Sequence, residues 1–142
     1  MMTRADLLRA IDSDEGLSRI LTLARATLDD DPGHNLDHAL RVALWTLRLG
    51  GEEIDRREGI AAALLHDLVN LPKDAPDRHL ASERSAEAAL PHLARAGFDA
   101  TSRGRIHDAI RDHSFSRGAR PSGPLGCALQ DADRLEALGA IG

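Results

Sequence analysis

The chain is 142 residues long, 42% hydrophobic and 29% charged, with a formal net charge of −5. That length and apolar content suit one domain around one core, and the acidic balance excludes a chain-wide basic footprint for nucleic acid. The single cysteine, Cys127, excludes an intrachain disulfide framework and fits a reducing, cytoplasmic setting; no apolar run approaches the roughly 20 residues of a spanning helix, and no signal-peptide pattern opens the chain.

Taken in order, the chain reads as helix after helix. Residues 3–11 place Leu7, Leu8 and Ile11 at helical spacing, and "GLSRILTLARATL" repeats the pattern with Leu17, Ile20, Leu21, Ala24 and Leu28. "DDDPGHN" breaks it with acid, proline and glycine. A third helix is expected from about Leu36 to Leu49, stopping at Gly50-Gly51. The fourth starts near Asp55 and carries "GIAAALLHDLV"; it is apolar nearly all round, so it is expected at the centre. "NLPKDAPD" is a loop. A fifth helix from Arg78 to about Ala96 contains Pro91, which is expected to kink or split it, and Gly97 closes it. A sixth runs from Thr101 to His113, and a last one carries "CALQDADRLEALGA". No segment alternates like a strand. Aromatics are confined to Trp45, Phe98 and Phe115, so Leu, Ala, Ile and Val must build the core; Lys73 is the only lysine.

Singly, the polar residues on these helices are ordinary, since a lone histidine is more often a surface or hydrogen-bonded residue than a ligand. Together they form a pattern. His34 and His38 are four apart and His38 and Arg41 three apart, spacings that share a helix face. His66 and Asp67 diverge by about 100° if helical, yet both can reach one ion over a helix end. Asp131 and Asp133 diverge widely and need different jobs, with Leu135 and Leu138 left to anchor their helix in the core. A mixed imidazole and carboxylate set without thiolate suits Mn²⁺, Fe²⁺, Co²⁺, Ni²⁺ or Zn²⁺. Four protein ligands on an octahedral ion leave room for a water and a phosphate oxygen, which is what hydrolysis of a phosphate ester needs.

His38, then His66-Asp67, then Asp133 in "DADRL" reproduces the H…HD…D signature of the HD-domain phosphohydrolase superfamily. The stretches "HNLDHALRV", "AALLHDLVNLPKDAPDRHLAS", "AIRDHSFSRG" and "QDADRLEALGAIG" resemble its YedJ-like branch over residues 34–142. The resemblance implies an all-α, single-domain HD helical bundle over 1–142. Its core is expected over about 34–138, with helices in 3–30 packed on it and the family's C-terminal part expected to be absent. It implies one divalent ion (Mn, Mg, Ni, Co, Fe or Zn) held by His38, His66, Asp67 and Asp133, with a metal-bound water as nucleophile.

The expected function is metal-dependent hydrolysis of a phosphomonoester or pyrophosphate bond in a nucleotide or other small phosphorylated metabolite. His66, Asp67, Asn70, Lys73 and His113 are the catalytic candidates; Arg41, Lys73, Arg78, His79, His113 and Ser114 are the substrate contacts. The bland alternative for Arg41, Lys73 and Arg78 is a solvated charge. Asp131 is expected to orient a ligand or a water, and Asn35, where many relatives carry Asp, to weaken a supporting bond. Two other classes use the same scaffold: an oxygenase or lyase with two metal ions, where His34 and His113 supply the extra ligands, and a non-catalytic nucleotide-sensing module. No nucleic acid or membrane partner is expected, and the chain is expected as a monomer or homodimer.

Overall fold

The computed structural model describes residues 1–28, 35–72, 74–114 and 120–139. His34 and Lys73 therefore lie outside the described residues. Seven α-helices, and no strand among the described residues, make up the molecule: α1 (Arg4–Asp12), α2 (Glu15–Thr27), α3 (Leu36–Gly50), α4 (Arg56–Leu65), α5 (Ala81–Arg95), α6 (Ala100–Arg111) and α7 (Pro124–Gly139). Short 3₁₀ turns at Gly51–Glu53 and Arg78–Leu80 lead into α4 and α5.

Side-chain caps start most of these helices. Thr3 and Asp6 form a reciprocal capping box on α1, while Asp14, Asn35, Asp55 and Asp99 each accept a backbone N–H of the first turn of α2, α3, α4 and α6. Asn35 thus caps the helix that carries His38, and its oxygen accepts the His38 N–H at 2.9 Å. Gly51 (φ 54°) and Gly97 (φ 91°) end α3 and α5 in backbone conformations that disfavour a Cβ.

α4 is the hub. Every residue from Glu58 to Leu65 is buried, and the helix packs against α2, α3, α5, α6 and α7. Three successive alanines, Ala61 to Ala63, let those neighbours approach closely without aromatic bulk. The one buried charge on α4, Glu58, is answered by two guanidinium bonds from Arg105 of α6, at 2.9 and 2.6 Å, and by the Ser102 hydroxyl.

Four expectations are corrected. α4 stops at Leu65, so His66 and Asp67 follow the helix instead of lying in it. There the Leu68 N–H returns to the Leu65 carbonyl, and the Ser85 hydroxyl of α5 bonds both the N–H and the C=O of Val69. Pro91 neither splits nor ends α5. It sits on the exposed face, where water can take the carbonyl that a proline leaves without its helical partner. α7 begins at Pro124, a residue preorganised for a first helical position. Finally, Leu135 and Leu138 are 38% and 60% exposed; Leu125, Ala128, Leu129 and Ala132 hold α7 to the core.

Candidate metal centre

His38 lies in the first turn of α3, His66 and Asp67 just beyond α4, His113 just beyond α6, and Asp133 in the middle of α7. Because α4 packs against the other three helices, their ends and faces converge at its C-terminus. His38 Nε2 is 3.1 Å from Asp133 Oδ1 and 3.9 Å from Asp67 Oδ2. His66 Nε2 is 3.2 Å from Asp67 Oδ2 and 3.4 Å from Asp133 Oδ1. His113 Nε2 is 3.9 Å from Asp67 Oδ1 and 4.0 Å from Asp133 Oδ2. Two overlapping triads, His38/His66/Asp67 and His66/His113/Asp133, each place one donor atom per residue within 4.8 Å of the others.

These separations fit a shared ion. Ligand bonds of about 2.0–2.2 Å put neighbouring ligand atoms of an octahedron about 3 Å apart and opposite ones about 4.2 Å apart. The chemistry of the donors agrees. Nδ1 of His66 lies 2.6 Å from the Ala63 carbonyl and Nδ1 of His113 2.6 Å from the Ile110 carbonyl. Each Nδ1 therefore carries the hydrogen, which turns a lone pair on Nε2 toward the carboxylates. His66 Nε2 is fully buried and has no aligned hydrogen-bond partner despite its two close carboxylates. A lone pair facing two carboxylates is unfavourable unless positive charge sits between them.

The titration behaviour reflects the same demand. Burial alone would lower the affinity of His66 for a proton, but Asp67 and Asp133 raise it well above the ordinary histidine value. Burial pushes the Asp133 carboxyl up, yet the neighbouring His38 and His66 imidazoles hold it well below the usual carboxylate range. Burial and then the neighbouring His66 lower His113.

His66, Asp67, His113 and Asp133 form part of the wall of a pocket of about 390 Å³ whose other walls include Asn70, Arg78, His79, Ser82, Ser114 and Arg134. Of the residues expected to meet substrate, the structure brings Arg78, His79, His113 and Ser114 to this pocket, together with the catalytic candidate Asn70. Arg78 is braced by Asn70 Oδ1 at 3.1 Å and by the Leu71 carbonyl.

Arg41 is not brought there. It is bonded to Glu136 and lines a separate cavity of about 540 Å³ with Leu44, Trp45 and Arg48. The larger cavity lacks the histidine and aspartate cluster, so size does not select the candidate site. Asp131 is exposed and lies outside the pocket, because Asp133 and Ala132 take the inward register of α7. Sequence reasoning passed over Ser82, Arg134 and Glu136. Arg134 and Glu136 stand in the very "DADRLEA" stretch that flagged Asp133; Ser82 left no signal beyond its place after "DRHLA".

Comparison with known proteins follows the same lines. The family model for the HD domain matches residues 35–138. An uncharacterized protein of Bacillus subtilis, YpgQ, is 34% identical over 118 residues, which is 80% of this chain and 56% of that protein, so the chain spans little more than half of that relative. A predicted HD superfamily hydrolase from an uncultured Thermotogales bacterium has a similar crystal structure, with 30% identity and a TM-score of 0.73 over 95% of this chain and 79% of that one. A Lactobacillus plantarum protein has 28% identity and a TM-score of 0.67 over 96% of this chain and 58% of its own.

Proposed function

This chain belongs to the HD-domain family, and on that premise we propose that it is a metal-dependent phosphohydrolase acting on a nucleotide or other small phosphorylated metabolite, at a phosphomonoester or pyrophosphate bond. The observation that carries the reading is the convergence of His38, His66, Asp67 and Asp133 beside a pocket whose wall also carries two arginines. Those four side chains would hold a divalent ion, which would supply the Lewis acidity that lowers the pKa of a water and polarises phosphorus.

The chain's own groups do the rest. Arg78 and Arg134 offer guanidinium groups to phosphate oxygens, and Arg78 is held in place by Asn70 and Leu71. His79 and Ser114 stand on the same wall as further donors. His113, with Nδ1 committed to Ile110, has only Nε2 to give, to an ion or to a proton at the reacting centre. Lys73, one of the expected catalytic and substrate residues, lies outside the described residues.

One observation favours a second reading. His113 enlarges the donor set to five, and its Nε2 approaches the Asp67 and Asp133 oxygens other than those nearest His66, so two bridging carboxylates would suit the oxygenase or lyase class with two ions. The test covers both. Phosphate and pyrophosphate release are measured on a nucleotide panel with Mn²⁺, Co²⁺ or Zn²⁺, and metal content is counted per chain. One ion with release of phosphate or pyrophosphate supports the hydrolase; two ions with no release support the other. His66→Ala should lose ion and activity together, and full metal occupancy in that variant would remove His66 from the ligand set.

A further inference from the structure

Each histidine of the cluster points one nitrogen at the carboxylates, so its other nitrogen must be held. For His66 and His113 a backbone carbonyl at 2.6 Å does this. His38 differs. Its Nδ1 faces a side chain, Glu136, whose Oε1 lies 4.0 Å away. Glu136 sits one turn beyond Asp133 on α7, so a single helix carries both the carboxylate on the Nε2 side of His38 and the one on its Nδ1 side. The Glu136 side chain is only 14% exposed and is fixed by two donors from α3, Arg41 Nε to Oε1 and Trp45 Nε1 to Oε2 at 3.3 Å.

Resting on the metal-site reading above, we propose that Glu136 is the positioning residue for His38. Its negative charge favours hydrogen on Nδ1 and so presents the Nε2 lone pair to a divalent ion, while Arg41 and Trp45 keep the carboxylate in place. At 4.0 Å the contact is longer than a hydrogen bond and acts through charge, in surroundings where charge is poorly screened. A carboxylate behind a ligating imidazole fixes its tautomer and raises its basicity, and removing such a partner weakens metal binding by about 10- to 100-fold. Arg41, expected from the sequence to grip phosphate, thereby gains a different job.

The test is Zn²⁺ affinity, by competition with a chromophoric chelator, together with the absorption spectrum of the Co²⁺-loaded chain, in Glu136→Gln, Glu136→Met and Arg41→Gln. Thermal melts establish that each variant is folded, and two neutral replacements at 136 guard against one of them failing to fold. Both Glu136 variants should lose about 10- to 100-fold in affinity and shift the Co²⁺ spectrum. Arg41→Gln, which keeps the carboxylate and its Trp45 bond but removes one of its two donors, should lose less than either Glu136 variant. Native affinity in a folded Glu136 variant would overturn the proposal. So would an equal loss in Arg41→Gln, which would make the pair a structural strut. If the unaltered chain itself binds neither metal, the metal-site reading fails, and that result is distinct from both.

Discussion

Asp131 and Asp133 share a helix and a residue type, and their surroundings alone separate them. Asp133 lies 3.1 Å from His38 and 3.4 Å from His66, while Asp131 is exposed on another side of the helix. Asp133→Asn keeps the volume and removes a charge from the cluster, so metal affinity should fall by more than about 100-fold, beyond the loss typical of outer partners. Asp131→Asn should leave both affinity and turnover within about twofold, as for surface substitutions generally; calorimetric titration with Mn²⁺ reads the affinity of each variant, and phosphate release reads its turnover. The sequence suggested a supporting role for Asp131, and only the register of α7 corrects that. Similarly, nothing in "RDHSFS" distinguishes a histidine that touches substrate from one that joins the ligand set. Nor does that stretch show that Nδ1 of His113 is tied to Ile110 and only Nε2 faces the carboxylates, since that backbone contact has no sequence signature.

Among the elements, α4 and α6 are joined by the Glu58–Arg105 clamp. Arg105 holds the Glu58 carboxyl below its usual value against the opposing effect of burial. A carboxyl lowered in the folded state binds its proton more readily when unfolded. The clamp therefore stabilises the protein fully above about pH 4.3, the ordinary glutamate value, and this contribution fades as pH falls through the folded value below it. Glu58→Gln should cost about 1–2 kcal/mol at pH 7, the scale of a charged hydrogen bond lost inside a protein. The difference from the unaltered chain should shrink toward zero in urea melts at progressively lower pH. A gap that stayed constant with pH would mean that packing, not charge, accounts for the loss. The same clamp shows why a buried acid on the most apolar helix did not disturb the reading of α4 as central: its partner lies 47 residues away, beyond any local pattern.

For the whole molecule, helical order and number were legible because apolar residues recur at helical spacing and caps, glycines and prolines punctuate them. The ends were less legible. Whether α4 includes His66 depends on Ser85 of α5 capturing Val69, and whether Pro91 breaks α5 depends on which face meets water. The candidate site was legible as four residue types in order, but the partner of Arg41 depends on how α7 lies against α3. The donors are drawn from the ends or faces of α3, α4, α6 and α7, so an ion bound there ties four elements at once. Binding to the folded state alone stabilises it by about 2.7 kcal/mol at a free metal concentration 100 times Kd. For a chain of this size that is a rise of about 5–10 °C in Tm. Calorimetric scans with Mn²⁺ should show the rise, excess EDTA should reverse it, and His66→Ala should abolish it.

The near-absence of aromatic side chains has an optical consequence. The chain has one tryptophan and no tyrosine, so its intrinsic near-ultraviolet emission comes essentially from Trp45. That indole donates to Glu136, the carboxylate beside His38. The protein thus carries a built-in fluorophore one side chain removed from its ligand cluster. Titrating Zn²⁺, which does not itself quench, should change the intensity or wavelength of that emission in step with binding. Trp45→Phe should silence the signal, and an emission unchanged through saturation would mean that the indole and the cluster are uncoupled.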